Sequence, residues 1–236
     1  MNLAEALYLQ NRANEAATIL VEALRKDIQL FGHNSPQVAN VLDTLAIVKY
    51  SQRKLDEAER YSRDAVATSR IVLGERHSFT ANYAITLGRT LIELRRYQEA
   101  ETTLRQALEI FAATVPPDHQ YIASAEYFLG ELLLTTKRPR EAEAVLTASM
   151  KRWERGGAPH WRVMRSASAL GEALLLQGRT QEGENYLAES ARELSADAKA
   201  DAEAKEKARR RAARYLKGSS PTLRVTPITS LSVATP

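Results

Sequence analysis

Residues Leu87 to Ala107 read LGRTLIELRRYQEAETTLRQA. Small residues stand at Gly88, Ala100 and Ala107, and larger apolar ones at Leu87, Leu91, Leu94, Tyr97 and Leu104. Small residues on facing helices let two backbones approach closely, and the larger ones fill the space beside them. The pattern predicts two short antiparallel helices closed by a tight turn at Leu94–Tyr97. The stretch then recurs. Glu-Ala falls at Glu15-Ala16, Glu57-Ala58, Glu99-Ala100 and Glu141-Ala142, with Glu182-Gly183 in the fifth place, in steps of 42, 42, 42 and 41 residues. A fixed period of this size predicts an all-α solenoid of stacked antiparallel hairpins, since no single hairpin can bury its apolar face alone.

Working outward, repeat two spans about 35–73. Ser35 is placed to cap a helix whose first residue is Pro36. Leu42, Leu45 and Ala46 face Leu55, Ala58, Tyr61 and Ala65 across the hairpin, and Gly74 suits the helix end. Repeat three spans about 77–114 and contains the opening stretch. Repeat four, about 119–156, keeps Gly130 and Ala142 at the close-packing positions and carries Pro139 in its turn. Repeat five, about 160–194, keeps Gly171 but has Gly183 where the others have Ala. Gly in a helix interior costs about 1 kcal/mol relative to Ala, so a looser last hairpin is expected.

Ahead of these lies half a repeat. Ala16, Leu20, Ala23 and Leu24 share one face of a helix over Asn14–Leu30. Only 15 residues precede Ala16, whereas Pro36 starts its helix 22 residues before Ala58. The first helix is therefore short by about two turns. The expectation is a C-terminal part of a longer protein, with a frayed terminal helix as the plainer reading. Leu3, Leu7 and Ile19 would then be exposed at an open end, where end-to-end self-association is expected. The array occupies 1–195. Past Ser195 the composition turns to Ala, Lys, Arg and Glu, which predicts a capping helix over 196–217 with a polar outer face. Residues 218–236 have no periodicity and are expected to be disordered.

The net charge of +4 is concentrated in one place. Residues 1–196 carry 24 Lys and Arg against 25 Asp and Glu, while 197–217 carry 8 against 4. The basic run Lys205–Arg214 raises nucleic acid as a partner, but no aromatic is interleaved to stack on bases before Tyr215, and solvated helix surface is the preferred reading. There is no Cys, which excludes disulfides, thiolate catalysis and sulfur-ligated zinc. No apolar run of about 18 residues exists, so no helix is expected to span a membrane. The N-terminus lacks the basic and apolar regions of a signal peptide, and a cytoplasmic location is expected.

Several motifs invite chemistry. His77, His119 and His160 recur once per repeat, but metal ligands sit around 2 Å from one ion, and equivalent points on successive repeats are about 10 Å apart. They are expected to start or pack helices. The Glu-Ala-Glu runs at Glu57/Glu59, Glu99/Glu101 and Glu141/Glu143 do not make acid–base pairs, because residues two apart on a helix do not face each other. They are expected to pair with nearby Arg. Trp153 and Trp161 flank Gly156-Gly157 and are expected to fill a seam between repeats rather than anchor a partner. No Gly-rich phosphate loop, GxSxG or zinc-protease helix motif is present. Neither a cofactor nor a metal is expected.

The pattern Leu-Gly, Tyr, Glu-Ala-Glu, Leu and Ala resembles the tetratricopeptide repeat. The 42-residue step and the linker LGERHSFTA, Leu73 to Ala81, resemble the kinesin-light-chain type common in bacterial regulatory proteins. The resemblance implies a right-handed superhelix whose first helices line a concave face that holds a peptide or protein. It assigns to that face Asn40, Asp43, Ile47 and Tyr50 in repeat two, and Asn82, Ile85, Arg89 and Glu93 in repeat three. Ser124, Tyr127 and Glu131 follow in repeat four, and Arg165, Ser168 and Glu172 in repeat five. Where the family has paired Asn, this chain has Asp43-Thr44, Ile85-Thr86, Tyr127-Phe128 and Ser168-Ala169. The function expected is a non-catalytic protein–protein interaction scaffold. A second expectation is the regulatory region of a larger signalling enzyme, such as a bacterial Ser/Thr kinase.

Overall fold

The computed structural model describes residues 4, 7, 10 and 12–216. They form an all-α solenoid of helix hairpins, with ten helices and no strand among the described residues. The expected tail at 218–236 lies outside them. The chain divides into two compact units, Met1–Pro117 and Asp118–Pro236.

The first unit holds α1 (Ala13–Phe31), α2 (Pro36–Ser51), α3 (Leu55–Leu73), α4 (Ser78–Glu93) and α5 (Tyr97–Thr114). Helices α2 and α3 form one hairpin and α4 and α5 the next; α1 packs on α2, and α3 on α4. The two first helices, α2 and α4, also touch. The close approach read from the small residues is present: a Cβ on Gly88 would lie 2.7 Å from Cγ of Leu104. At the N-terminal end Ala4 and Leu7 join Ala16, Ala17, Leu20, Leu45 and Val48 in one apolar cluster. Leu7 is thus buried, not exposed, and Ile19 is half-buried against the same cluster; Leu3 lies outside the described residues.

The second unit holds α6 (Gln120–Thr135), α7 (Pro139–Arg155), α8 (His160–Leu175), α9 (Thr180–Ala196) and α10 (Ala202–Tyr215). Hairpins α6–α7 and α8–α9 stack through α7 and α8, and α6 touches α8. Trp153 is buried in this unit, and the Arg162 guanidinium stacks 4.9 Å from both the Trp153 and the Trp161 ring centroids. The last hairpin is not loosened by its glycine. A Cβ on Gly183 would lie 2.7 Å from the Gly171 carbonyl oxygen, so the two backbones are in direct contact there. Where the capping helix is expected at 196–217, the chain leaves α9 at Asp197, turns through Asp201 and forms α10, which packs on α9 and on α8.

Repeating local devices set these boundaries. The Ser35 hydroxyl accepts from the Val38 amide at 3.3 Å. Nδ1 of His77 and of His119 accepts from Phe79 and Tyr121 amides at 3.1 and 3.2 Å, so both histidines cap first helices. Each hairpin turn contains one left-handed residue: Arg53, Arg95, Lys137 and Gly178, with φ of 61, 60, 60 and 82°. Second helices open with a basic residue that pairs with the Glu three residues on. Arg12–Glu15 and Arg179–Glu182 close at 2.6 Å and Arg138–Glu141 at 2.7 Å. A carboxylate in the first turn also complements the helix dipole.

Candidate protein-binding face

The residues assigned to the face all lie on first helices, one row per hairpin. On α2, Asn40 is exposed, Ile47 half-buried, and Asp43 and Tyr50 buried. On α4, Ile85 is buried while Asn82, Arg89 and Glu93 are half-buried. The contact between α2 and α4 brings the two rows together. The Arg89 guanidinium stacks 3.8 Å from the Tyr50 ring centroid, a cation–π contact that fixes the long side chain. Glu93 pairs with Arg53 of the neighbouring turn at 2.8 Å. Asp43 is sealed between the helices. Its carboxyl hydrogen-bonds the Thr86 side chain, and its other oxygen, Oδ1, has no hydrogen-bond partner. Burial pushes this carboxyl up to about 7, opposed only by the Thr86 bond.

In the second unit the face is already covered. Ser124, Tyr127 and Glu131 stand on α6, and Arg165, Ser168 and Glu172 on α8. Tyr127 and Ser168 are each 1% exposed and Glu131 8%. The Arg165 guanidinium lies 4.1 Å from the Tyr127 ring centroid and 5.4 Å from that of Trp161. Helix α10 closes over this row. Lys207 Nζ donates to Glu131 Oε2 at 2.9 Å, and Arg211 Nη2 to Glu131 Oε1 at 2.6 Å. Arg211 Nε donates to Glu172 Oε2 at 2.6 Å, and the Tyr215 hydroxyl to Glu172 Oε1 at 3.1 Å. At the start of α10, Asp201 Oδ1 caps the helix by accepting from the Ala204 amide at 2.6 Å. Its other oxygen lies 3.9 Å from Arg165.

The electrostatics follow from that geometry. Burial alone would raise the Glu131 carboxyl, but Arg211 and Lys207 outweigh it and hold it at about 2. Burial also works against the Arg211 charge, and Glu131 and Glu172 override it to raise that group. Tyr127 is pushed up to about 12, first by burial and then by the nearby Glu131 charge. Two glutamates, one arginine and one tyrosine from the face are thus engaged by a segment of the same chain or packed directly beside it. Sequence reasoning places a cap after the last repeat and misses this contact. Its signal is present: Ala204, Lys207, Ala208, Arg211 and Tyr215 fall on one helix stripe, the cations separated by four residues.

The remaining charged groups pair with one another. Glu59 and Glu99 both receive Arg63 and Arg96. Glu143 receives Arg179 and Gln177. Glu59, Glu99 and Glu143 thus form charged pairs between successive hairpins, while Glu57, Glu101 and Glu141 pair with Lys49, Arg105 and Arg138 of their own hairpins. In the first unit a cleft of about 600 Å³ is lined by Arg63, Arg70, Glu75, Arg76, Glu99 and Glu109, among others. Its lining alternates charge, with the Thr80 and Thr103 hydroxyls between. Among the described residues no cluster of three His, Asp or Glu could hold a metal, and no described helix is long and apolar enough to cross a membrane.

Comparison with known proteins agrees with the architecture. A tetratricopeptide-repeat family model matches residues 1–70 and again 44–113. No curated protein sequence matches the chain. Among solved structures, BtubC (BKLC) of P. vanneervenii superposes with a TM-score of 0.66 at 19% identity, covering 99% of this chain and 84% of that one. The nearly identical TPR-like repeats of a kinesin-light-chain-type protein from Podosopora anserina give 0.63 at 18% identity, covering 92% and 94%. A thermophilic TPR protein of Thermus thermophilus gives 0.63 at 19%, covering 91% and 96%. With the period, the close-packed hairpins and the recurring helix starts in place, residues 1–113 match the tetratricopeptide-repeat family, and the chain shares the fold of kinesin-light-chain-like structures.

Proposed function

We propose that the chain is a non-catalytic scaffold that holds a protein or peptide segment along the face lined by its first helices. The observation that carries this reading is α10: the residues assigned to the face in the second unit engage a helical segment through charge pairs and a tyrosine hydroxyl. The equivalent row in the first unit offers the same kinds of group. Asn40 and Asn82 supply amides that donate and accept, Arg89 is held rigid over Tyr50, and Glu93 supplies a carboxylate. A preorganised arginine loses little freedom on binding, which favours it as an anchor.

The test uses the first unit, where these groups are accessible. Asn40, Asn82 and Arg89 changed together to Ala should abolish capture of the proteins that the wild-type chain retains from an extract of its host. Circular dichroism should stay helical, because none of the three is buried. Equal capture by the triple variant would count against the first-helix face.

A further inference from the structure

We propose that the acidic row on α6 and α8 is a receptor for basic amphipathic helices, and that α10 is its resident, displaceable occupant. The inference rests on reading the first-helix face as a binding surface and names the partner chemistry that its second unit selects. The receptor is Glu131 and Glu172, one per first helix. The ligand pattern is read directly from α10: Ala204, Lys207, Ala208, Arg211 and Tyr215 along one stripe. The alanines permit close approach, being 2% and 1% exposed. Lys207 and Arg211, four residues apart, converge on Glu131; Arg211 and Tyr215, four apart again, converge on Glu172. A helix is the conformation that puts these three side chains on the same side at that spacing.

The way α10 is held argues for exchange rather than permanent packing. Its only buried apolar side chains are Ala204 and Ala208, whereas α9 buries Tyr186, Leu187 and Leu194 with others. Its attachment is therefore mostly charge pairing, which a second basic helix can reproduce group for group. It also stands apart from the hairpins in the chain. Helix α9 ends at Ala196, and a turn in which Asp197 accepts from the Lys199 amide at 2.7 Å precedes a fresh N-cap at Asp201. The opposite side of α10 makes no use of the row: Arg209 and Arg210 are exposed and pair with Glu206 on their own helix. The charge excess of this segment is thereby split. Lys207 and Arg211 neutralise the glutamates, and Arg209 and Arg210 face solvent.

The test is competition with a defined peptide on the full-length chain. A fluorescent peptide of residues 201–216, DAEAKEKARRRAARYL, is titrated by anisotropy into wild type, into the variant Lys207→Ala/Arg211→Ala, and into that variant carrying Glu131→Gln/Glu172→Gln as well. Unseating α10 raises the fraction of open receptor, so the first variant should bind at least about tenfold more tightly than wild type. The added glutamine changes should remove that gain, and salt should weaken the binding. Binding no tighter than wild type, or insensitive to the glutamines, overturns the proposal. Because the alanine variant leaves the buried Glu131 without its two cations, hydrogen exchange on the wild-type chain gives a second reading. Saturating peptide should speed exchange across α10 and leave α9 unchanged; α10 amides that stay as protected as those of α9 make it a fixed cap and overturn the proposal. A dimer dissolved by the peptide would seat a second copy's α10 in the row and overturn it equally. These measurements use only second-unit residues, so their failure leaves the first-unit capture experiment standing.

Discussion

At the residue scale, Gly183 shows how packing can reverse a propensity argument. Helix propensity alone makes Gly183→Ala a gain of about 1 kcal/mol. The structure places the missing Cβ 2.7 Å from the Gly171 carbonyl oxygen and 2.6 Å from Leu175 Cγ. A backbone carbonyl cannot step aside as the end of a side chain can, so the substitution forces the hairpin apart. Gly183→Ala should destabilise the chain by about 1–3 kcal/mol in urea unfolding; a stabilised variant would show that the hairpin has room to spare. Neighbouring hairpins pair Gly88 with Ala100 and Gly130 with Ala142, and a single sequence shows only that the last pair is Gly with Gly. Whether the second glycine is a defect or a requirement depends on the distance between two backbones, which no local pattern contains.

At the element scale, helix starts and stops are legible because their causes are local. Ser35-Pro36, the histidines before α4 and α6, and the 42-residue step all act within a few residues or repeat almost unchanged. The contacts of α10 are only half legible: the stripe of Lys207, Arg211 and Tyr215 marks a face that seeks acceptors, but Glu131 lies 80 residues from Arg211, so the stripe does not say which carboxylates it meets. The junction of α2 with α4 has the same character. Family resemblance makes Asp43 a carboxylate offered to a partner, and it is instead enclosed beside Thr86 with its titration raised to about 7. Its carboxyl binds a proton more readily in the folded chain than in the unfolded one, where the ordinary carboxylate value applies. Its contribution to stability is therefore full at low pH and is lost as pH rises from about 4 through 7. Urea unfolding should show wild type losing on the order of 2–4 kcal/mol relative to Asp43→Asn between pH 5 and pH 8. Parallel curves for the two proteins would mean that Asp43 is solvated.

At the scale of the whole molecule, the parts that repeat define the fold, and the proposed function rests on the parts that vary. The close-packing position reads Ala46, Gly88, Gly130 and Gly171, nearly constant, because every hairpin must solve the same packing problem. Three residues earlier the chain reads Asp43, Ile85, Tyr127 and Ser168, four different chemistries, all buried and each in its own surroundings. The architecture is therefore readable from the period, while the partner is not, since its side chains form the other half of the code. The basic C-terminal segment, which composition alone leaves open to nucleic acid, turns Lys207 and Arg211 onto two glutamates of its own chain. The central claim, that partners lie on the first helices, is tested most directly by site-specific photocrosslinking in an extract of the host. A photoreactive residue at Asn40, exposed on α2, should attach a discrete protein, and one at Glu109, exposed on α5, should not. Crosslinks from Glu109 with none from Asn40 would place the partner on the second helices and contradict the claim.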